Sequence, residues 1–363
     1  MPNEAFRIEI EGEEITEVYQ DIVNLQVEMD EDMMAMVRLQ IFIVLQEDGS
    51  WTHLDDDDFS LWNNLEVNAG FEDEMELLFS GPITHLRPMF DSDPSQCMLE
   101  VWAMDKSVLL DREEKLKDWP DKKDSDIAQE IFSEYGLTAE VEDTSIIHDQ
   151  AVSTIIQRET DMQFLKRLAI RNGYECFVEG DSAYFRSPQL DERSQPVLSA
   201  HFGENTTLSE FNVEVEAQTA TNVSLYQIDR FNKEVIGVDI ETSEQPPLGR
   251  DDASALLPMG GTAAKCVLSR TVTTGEAEMT TLAQGLFHSS EWFVSASGIV
   301  DANIYRHVLK PRRTVTVRGI GETYSGTYYV TYVSHIFDRD GYRQEFRAKR
   351  NAIRTSGSEN FDS

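Results

Sequence analysis

Apolar and polar residues alternate over 6–10, 23–29 and 37–45, the period-two pattern of strands with one buried face. Asp48, Gly49 and Gly70 punctuate these runs, and further alternating segments cover 75–81, 82–86 and 98–104. Short strands separated by turn residues predict a small antiparallel barrel or sandwich. After Asp105 the period changes. From Ser125, the residues Ile127, Ala128, Ile131, Phe132 and Tyr135 recur at helical spacing, and Gly136 supplies the stop. A strand over 137–141 follows. A second helix starts at Thr160, with Gln163 placed so that hydroxyl and amide can satisfy the end N–H groups reciprocally. Phe164, Leu165, Leu168 and Ala169 form its apolar stripe, which predicts core packing, and Asn172 and Gly173 end it. Segments 176–178 and 183–185 predict a hairpin about Gly180 and Asp181.

Further on, strands are predicted over 213–217, 223–228, 235–240, 314–318 and 327–333, with a loop over 244–257 and a helix over 276–293. The polar run from Asn351 predicts a flexible end. One internal comparison ties the two β-rich halves together. Phe79, Ser80 and Gly81 open a strand reaching Thr84 and His85, followed by Asp91 and an alternating strand that ends at Ala103. Tyr324, Ser325 and Gly326 open a strand reaching Ser334 and His335, followed by Asp338, Gly341 and an alternating strand that ends at Ala348. The spacing from glycine to histidine differs, but the order of features is the same and predicts two copies of one β-domain.

With 363 residues, at roughly 150 per domain, two to three domains are expected. Lys and Arg number 31 against 67 Asp and Glu, a formal charge of −36 that argues against a general nucleic-acid binder and against docking on anionic lipid. The start has no basic region followed by an apolar one, and the longest apolar stretch, 33–45, is broken by Arg38 and Gln40 and is too short to span a bilayer. A soluble protein without a secretion signal is expected. The charge is uneven: residues 1–150 carry −30 and residues 305–354 carry +7, an asymmetry that marks an assembly surface or a solvated acidic face. Cys97, Cys176 and Cys266 lie far apart with no Cys-x-x-Cys pair, which predicts buried free thiols in a reducing compartment.

Catalytic chemistry finds no foothold. Neither the zinc-protease nor the serine-hydrolase motif is present, Gly319 and Gly321 lack the third glycine of a dinucleotide loop, and residues 260–265 lack phosphate-loop spacing. Asp55, Asp57, Asn63 and Glu66 fall at calcium-loop positions, but Phe59 and Ser60 stand where a ligand and a glycine are needed, so a solvated acidic loop is the better reading. The tryptophans Trp51, Trp62, Trp102, Trp119 and Trp292 do not cluster as a carbohydrate site would require. No catalytic residue, cofactor or metal is assigned.

Three segments in order carry a family resemblance. The first is the Gly81 to His85 hairpin closing on Trp102 and Asp105. The second runs from Ser125 through Gly136 and Leu137, then from Gln157 to Ala169, Gly173 and Tyr174, ending at Tyr184 to Pro188. The third runs from Pro311 through Val317 and Arg318, Ser325 to His335, and Tyr342. Together they span about residues 75–350, and only the second is specific by itself. The chain resembles the late-control-D family of phage tail proteins, which is similar to the N-terminal part of VgrG. The resemblance implies the central hub of a contractile-tail baseplate (phage, tailocin or injection system), a homotrimer in which each chain carries two related tube-like barrels. Three chains then make a pseudo-sixfold ring that adapts a sixfold tail tube to a threefold spike.

The implied fold is mainly β with an α+β insertion. It comprises a tube-like antiparallel β-barrel over 1–105, a helix/strand middle module over 106–195, a second barrel over 196–350 with an inserted loop and helix segment around 236–300, and a flexible tail over 351–363. The implied partners are the tail tube protein and other baseplate proteins. A separate spike protein is also implied, because no spike-forming barrel follows the hub region. DNA or cargo would pass through the channel without specific binding. Such a protein is assembled in the host cytoplasm and resides in a virion tail or an extracellular contractile particle. A tail-associated cell-wall hydrolase is the alternative, and a host-surface carbohydrate binder the third possibility. The signature and repeat positions are Gly81, His85, Asp105, Thr160, Gln163, Phe164, Leu165, Gly326 and His335. Arg312, Arg313, Arg318, Arg343, Arg347 and Arg350 are expected at contacts with neighbouring subunits or partners, where guanidinium groups pair with carboxylates. Part of the acidic excess is expected either to line the channel, where it repels DNA phosphates, or to coat the outer surface.

Overall fold

The structure, a computed structural model, describes residues 4–54, 57–71, 74–151, 154–218, 222–229, 232–257, 264–268 and 273–361. In the first repeat, β1 (Glu4–Ile10), β2 (Glu13–Glu14), β3 (Ile22–Asp30), β4 (Met36–Phe42), β5 (Asn64–Phe71), β6 (Glu74–Met89) and β7 (Met98–Met104) lie in the order β3-β4-β7-β6-β5-β1-β2. Alternation buries Leu25, Val27, Val37, Leu39, Ile41, Leu99 and Val101 on one face. The long β6 serves two ladders, pairing with β5 up to Pro82 and with β7 from Ile83. Gly81 stands where those ladders meet. A Cβ there would come within 2.1 Å of the Met104 carbonyl oxygen, so no other residue fits.

The middle module contains β8 (Glu114–Trp119), α1 (Asp124–Glu134), β9 (Thr138–Val141), β10 (Ile155–Thr160), α2 (Asp161–Asn172), β11 (Glu175–Glu179) and β12 (Ser182–Arg186). Its own core holds Trp119, Ile131, Phe132, Phe164, Leu165, Leu168 and Phe185. Thr160 caps α2 by accepting the Gln163 N–H at 3.3 Å, and its hydroxyl donates to Asp111. The Gln163 side chain is exposed instead of turning back on the cap, so only half of the expected reciprocal box forms. Gly173 closes the helix at φ 68°, where a side chain would be strained.

The second repeat begins with β13 (Gln195–Ser199) and β14 (Leu208–Val215). A separate unit then intervenes. Its strands β15 (Asn222–Ile228), β16 (Val235–Ile240) and β18 (Lys265–Leu268) form a three-stranded sheet against α3 (Glu276–Ser290), while the short β17 (Asp251–Asp252) pairs elsewhere. The repeat resumes with β19 (Val294–Asp301), β20 (Thr314–Arg318), β21 (Gly326–Asp338) and β22 (Gly341–Arg350), paired in the order β14-β19-β22-β21-β20-β13. Strand for strand, in space and in chain order, this repeats β3-β4-β7-β6-β5-β1. The bulges coincide as well: Ile22/Asn24 corresponds to Leu208/Glu210, and Ile83/His85 to Val330/Tyr332. One difference is that β1 runs antiparallel to β5 whereas β13 runs parallel to β20. The pairing of β21 with β3 joins the repeats into one 13-stranded sheet over a shared core.

Several expectations need correction. The inserted unit runs from β15 to α3, and residues 294–300, assigned to the insertion by sequence, form a central strand of the barrel. A strand that pairs on both sides looks the same in sequence as one at the edge of an inserted domain. The end of the chain is tied down. Ala352 is fully buried, β23 (Ala352–Ile353) pairs with β17, and the Phe361 carbonyl accepts from Arg318; residues 362–363 lie outside the described residues. Cys97 and Cys176 are buried, but Cys266 is exposed.

Candidate assembly interface

The repeat leaves two matching edges open. Among the described residues β14 pairs only with β19, while its counterpart β3 pairs with both β4 and β21. Likewise β6 from Ile83 to Met89 pairs only with β7, while the corresponding part of β21 pairs with both β22 and β3. Val27 and Val213 occupy equivalent positions, as do Tyr332 and His85. The junction inside the chain therefore projects onto the free edges, setting Glu214 opposite Arg87 and Glu216 opposite His85.

At the junction inside the chain, charge and stacking hold the sheet together. Arg347 reaches Asp30 at 3.1 Å and lies over the Tyr332 ring, and Lys349 pairs with Glu31 at 2.6 Å. Arg312 donates to the Asp30 and Glu31 carbonyls and stacks 3.9 Å from the Phe177 ring centre, which brings the middle module onto both repeats. Beside it, the Tyr329 hydroxyl donates to Glu175, whose carboxyl burial pushes above its ordinary range. Burial likewise raises Glu31, against the pull of Lys349.

The face of the sheet away from the core is polar and mixed in charge. Glu100 is buried there beneath its neighbours. Burial works to raise its pKa, but hydrogen bonds from Arg38 at 2.9 Å, Trp102 at 2.8 Å and Gln40 at 2.8 Å prevail and hold the carboxyl below its ordinary range. Glu345 holds the equivalent position in the second repeat and accepts from Arg343. Arg343 also donates to Asp338 at 2.6 Å, which keeps that carboxyl low. Sequence reasoning passed over Glu100, although Arg38, Gln40, Glu100 and Trp102 share the outward parity of their strands.

The structure distributes the sequence-derived positions unevenly. His85 is exposed and edge-on to Trp102, whereas His335 is fully buried, bonded to the Tyr342 hydroxyl at 2.8 Å, and pushed down to about 3 by burial. The ladders equate His85 with Tyr332 and Gly81 with Tyr328, so the Gly–His motif match was out of register even though the duplication is present. Gly326 has φ 140°, and a Cβ on it would lie 2.6 Å from the Arg350 guanidinium. Asp105 caps the turn that follows β7 and accepts from the Ala35 N–H across the barrel end; burial raises its pKa.

The arginine expectation is corrected at Arg350. Arg350 has no exposed surface and donates to the carbonyls of Leu248, Ser325 and Arg354. Arg318 packs over Phe202 and donates to Ser199 at 2.7 Å. Arg312, Arg343 and Arg347 also make contacts inside the chain, but Arg347 keeps an exposed side chain, as does Arg313. Asn63 donates its amide to the Asp57 and Asp58 carbonyls, Asp55 lies outside the described residues, and no group of His, Cys, Asp and Glu among the described residues could hold a metal. No helix among the described residues is long and apolar enough to cross a membrane.

A duplicated six-stranded barrel joined edge to edge, with an α+β module between the copies, is the fold of phage tail proteins. The 43 kDa tail protein of prophage MuSo2 from Shewanella oneidensis matches at a TM-score of 0.71 and 13% identity, over 97% of this chain and 100% of that one. The tail protein from Neisseria meningitidis MC58 matches at 0.67 and 14%, over 97% and 98%. A chain of the Francisella PdpA–VgrG complex covers all of this chain with 55% of its own length, at 0.60 and 9%. The fold implied by the resemblance to late-control-D proteins and VgrG is thus the fold of this chain. The chain belongs to the family described as the Alg8 N-terminal domain, whose model matches residues 3–338. No curated protein matches it in sequence.

Proposed function

We propose that the chain is a structural baseplate hub of a contractile tail, three copies of which close into a ring between the tail tube and the spike. The carrying observation is the pair of open edges. The β21–β3 junction inside one chain, repeated between β6 of one copy and β14 of the next, is a head-to-tail contact, and such contacts generate rings when the rotation closes. Two barrels per copy make six positions from three copies, which is the match a sixfold tube requires. In that ring the polar face of the sheet lines the channel. Arg343 and Arg347 then face the lumen beside Glu28, Asp30 and Glu345, which gives a mixed wall and places most of the acidic excess elsewhere. The partners are the tube protein, the spike and other baseplate proteins, and the role is assembly rather than catalysis.

Light scattering and electron microscopy of the purified protein, alone and in the particle, test the reading. Three-copy rings are expected in the particle, and a salt-insensitive dimer would overturn it. Release of muropeptides from purified cell walls would instead support the hydrolase alternative.

A further inference from the structure

The open edges do not reproduce every bond of the junction they would repeat. The Ile43 N–H donates to the Cys97 carbonyl at 3.1 Å, so Leu99 and Val101 of β7 turn their backbone groups to β4, while Met98, Glu100 and Trp102 turn theirs to β6. Opposite those three stand Met89, Arg87 and His85, which leaves the backbone groups of Leu86 and Pro88 directed to the open edge. Proline has no backbone N–H, so at that position the edge offers an acceptor and no donor.

Inside the chain the donor is kept. The Glu31 N–H donates to the Thr331 carbonyl at 2.8 Å, which turns Val27 and Met29 toward β21 and Val333 and His335 toward β3. With Tyr332 equivalent to His85, His335 is the counterpart of Pro88, and it brings an N–H to face Val27. On the other open edge the Glu216 N–H donates to the Phe293 carbonyl at 2.8 Å, so Val213, the counterpart of Val27, directs its carbonyl outward. Set opposite Pro88, that carbonyl would receive no hydrogen bond. The ion pairs are missing as well. Asp30 and Glu31 meet Arg347 and Lys349 inside the chain, but their counterparts are Glu216 and Ala217 on one edge and Trp102 and Met104 on the other.

We propose that Pro88 guards the β6 edge against pairing with β14 of another copy, so that isolated copies hold each other more weakly than the two repeats hold within one copy. Proline on an edge strand is a general means of restraining strand addition. The inference rests on the ring contact proposed above and names the residue that limits it.

Pro88→Val and Pro88→Ala both restore the N–H but differ in their preference for strands. Sedimentation of the full chain over a concentration series should show association tightened about fivefold in each. Adding Glu214→Arg to Pro88→Val should remove the gain, because it acts on the β14 side of the same contact. Glu113→Arg, the same change of charge at an exposed position of the middle module, should leave the gain in place. Thermal melts establish that each variant is folded. Association of both proline variants equal to that of the parent would overturn the proposal and leave the ring reading standing, since that reading is judged by three-copy rings in the particle. A gain in Pro88→Val without one in Pro88→Ala would assign the effect to strand preference and overturn it. A gain untouched by Glu214→Arg would do so as well, by showing that β6 pairs with something other than β14, such as a second β6.

Discussion

At Arg350 a positive charge in a basic stretch of sequence serves the interior. Its guanidinium bridges three carbonyls around Gly326 and Gly249, where any side chain would collide with it. His335 is another buried base, and it carries a pH prediction. Burial lowers its pKa to about 3 in the folded protein, against roughly 6.5 when unfolded. Between those values the unfolded chain binds the extra proton. The stability that depends on a neutral His335 is therefore fully present above pH ~6.5 and is lost as pH falls toward 3, at up to about 1.4 kcal/mol per pH unit. His335→Gln should be less stable than the parent at pH 7.5, and the gap should narrow by about 1–2 kcal/mol at pH 5. Denaturant unfolding at both pH values checks this, and parallel pH profiles would show that His335 does not titrate on unfolding.

Within α2, the stripe and the cap make separable contributions. Phe164, Leu165 and Leu168 are fully buried, so Leu165→Ala should cost about 2–5 kcal/mol, depending on how far the module collapses around the cavity. Thr160→Ala should cost about 1 kcal/mol. Gln163→Ala should be near neutral, because the Gln163 side chain is exposed and the cap is made by the Thr160 hydroxyl and the Gln163 backbone. Equilibrium unfolding of the three variants gives the ranking, and a Gln163→Ala loss as large as that of Thr160→Ala would restore the reciprocal box. The long strands β6 and β21 show why their register was hard to anticipate. Each serves two ladders and carries a bulge, and a bulge displaces every later residue by one position against its partner strand, so spacings counted along the sequence do not give the register.

For the whole molecule, the decisive balance lies between one favourable contact and a large like charge. Each copy carries −36, so copies repel one another at low salt, and screening within about 10 Å at 0.1 M relieves this. Association should therefore strengthen with added salt, even though the projected Glu214–Arg87 contact is itself weakened. Reversing one side, by Glu214→Arg or Arg87→Glu, should weaken association about tenfold, and the double reversal should recover most of the loss. Sedimentation at fixed ionic strength checks this. A double variant no better than either single one would show that these residues do not face each other across the contact.

Period-two alternation was enough to place β1, β3, β4 and β7, because one face of each is buried and the other solvated, but it missed β5, inside which Gly70 was read as a break. Helical spacing, Thr160 and Gly173 were enough to place α2, because caps and stripes are local. The three segments from Gly81 to Tyr342 carried the fold family. The correspondence between repeats needed the ladders, since Gly81, His85, Gly326 and His335 matched as letters but occupy different registers. Only tertiary structure could separate the buried Arg350 from the exposed Arg313, or show that the edges of β14 and β6 stay unpaired among the described residues. Burial, and the pairing of residues distant in sequence, are properties of how the strands meet, and neither is encoded in the composition or spacing of a single strand.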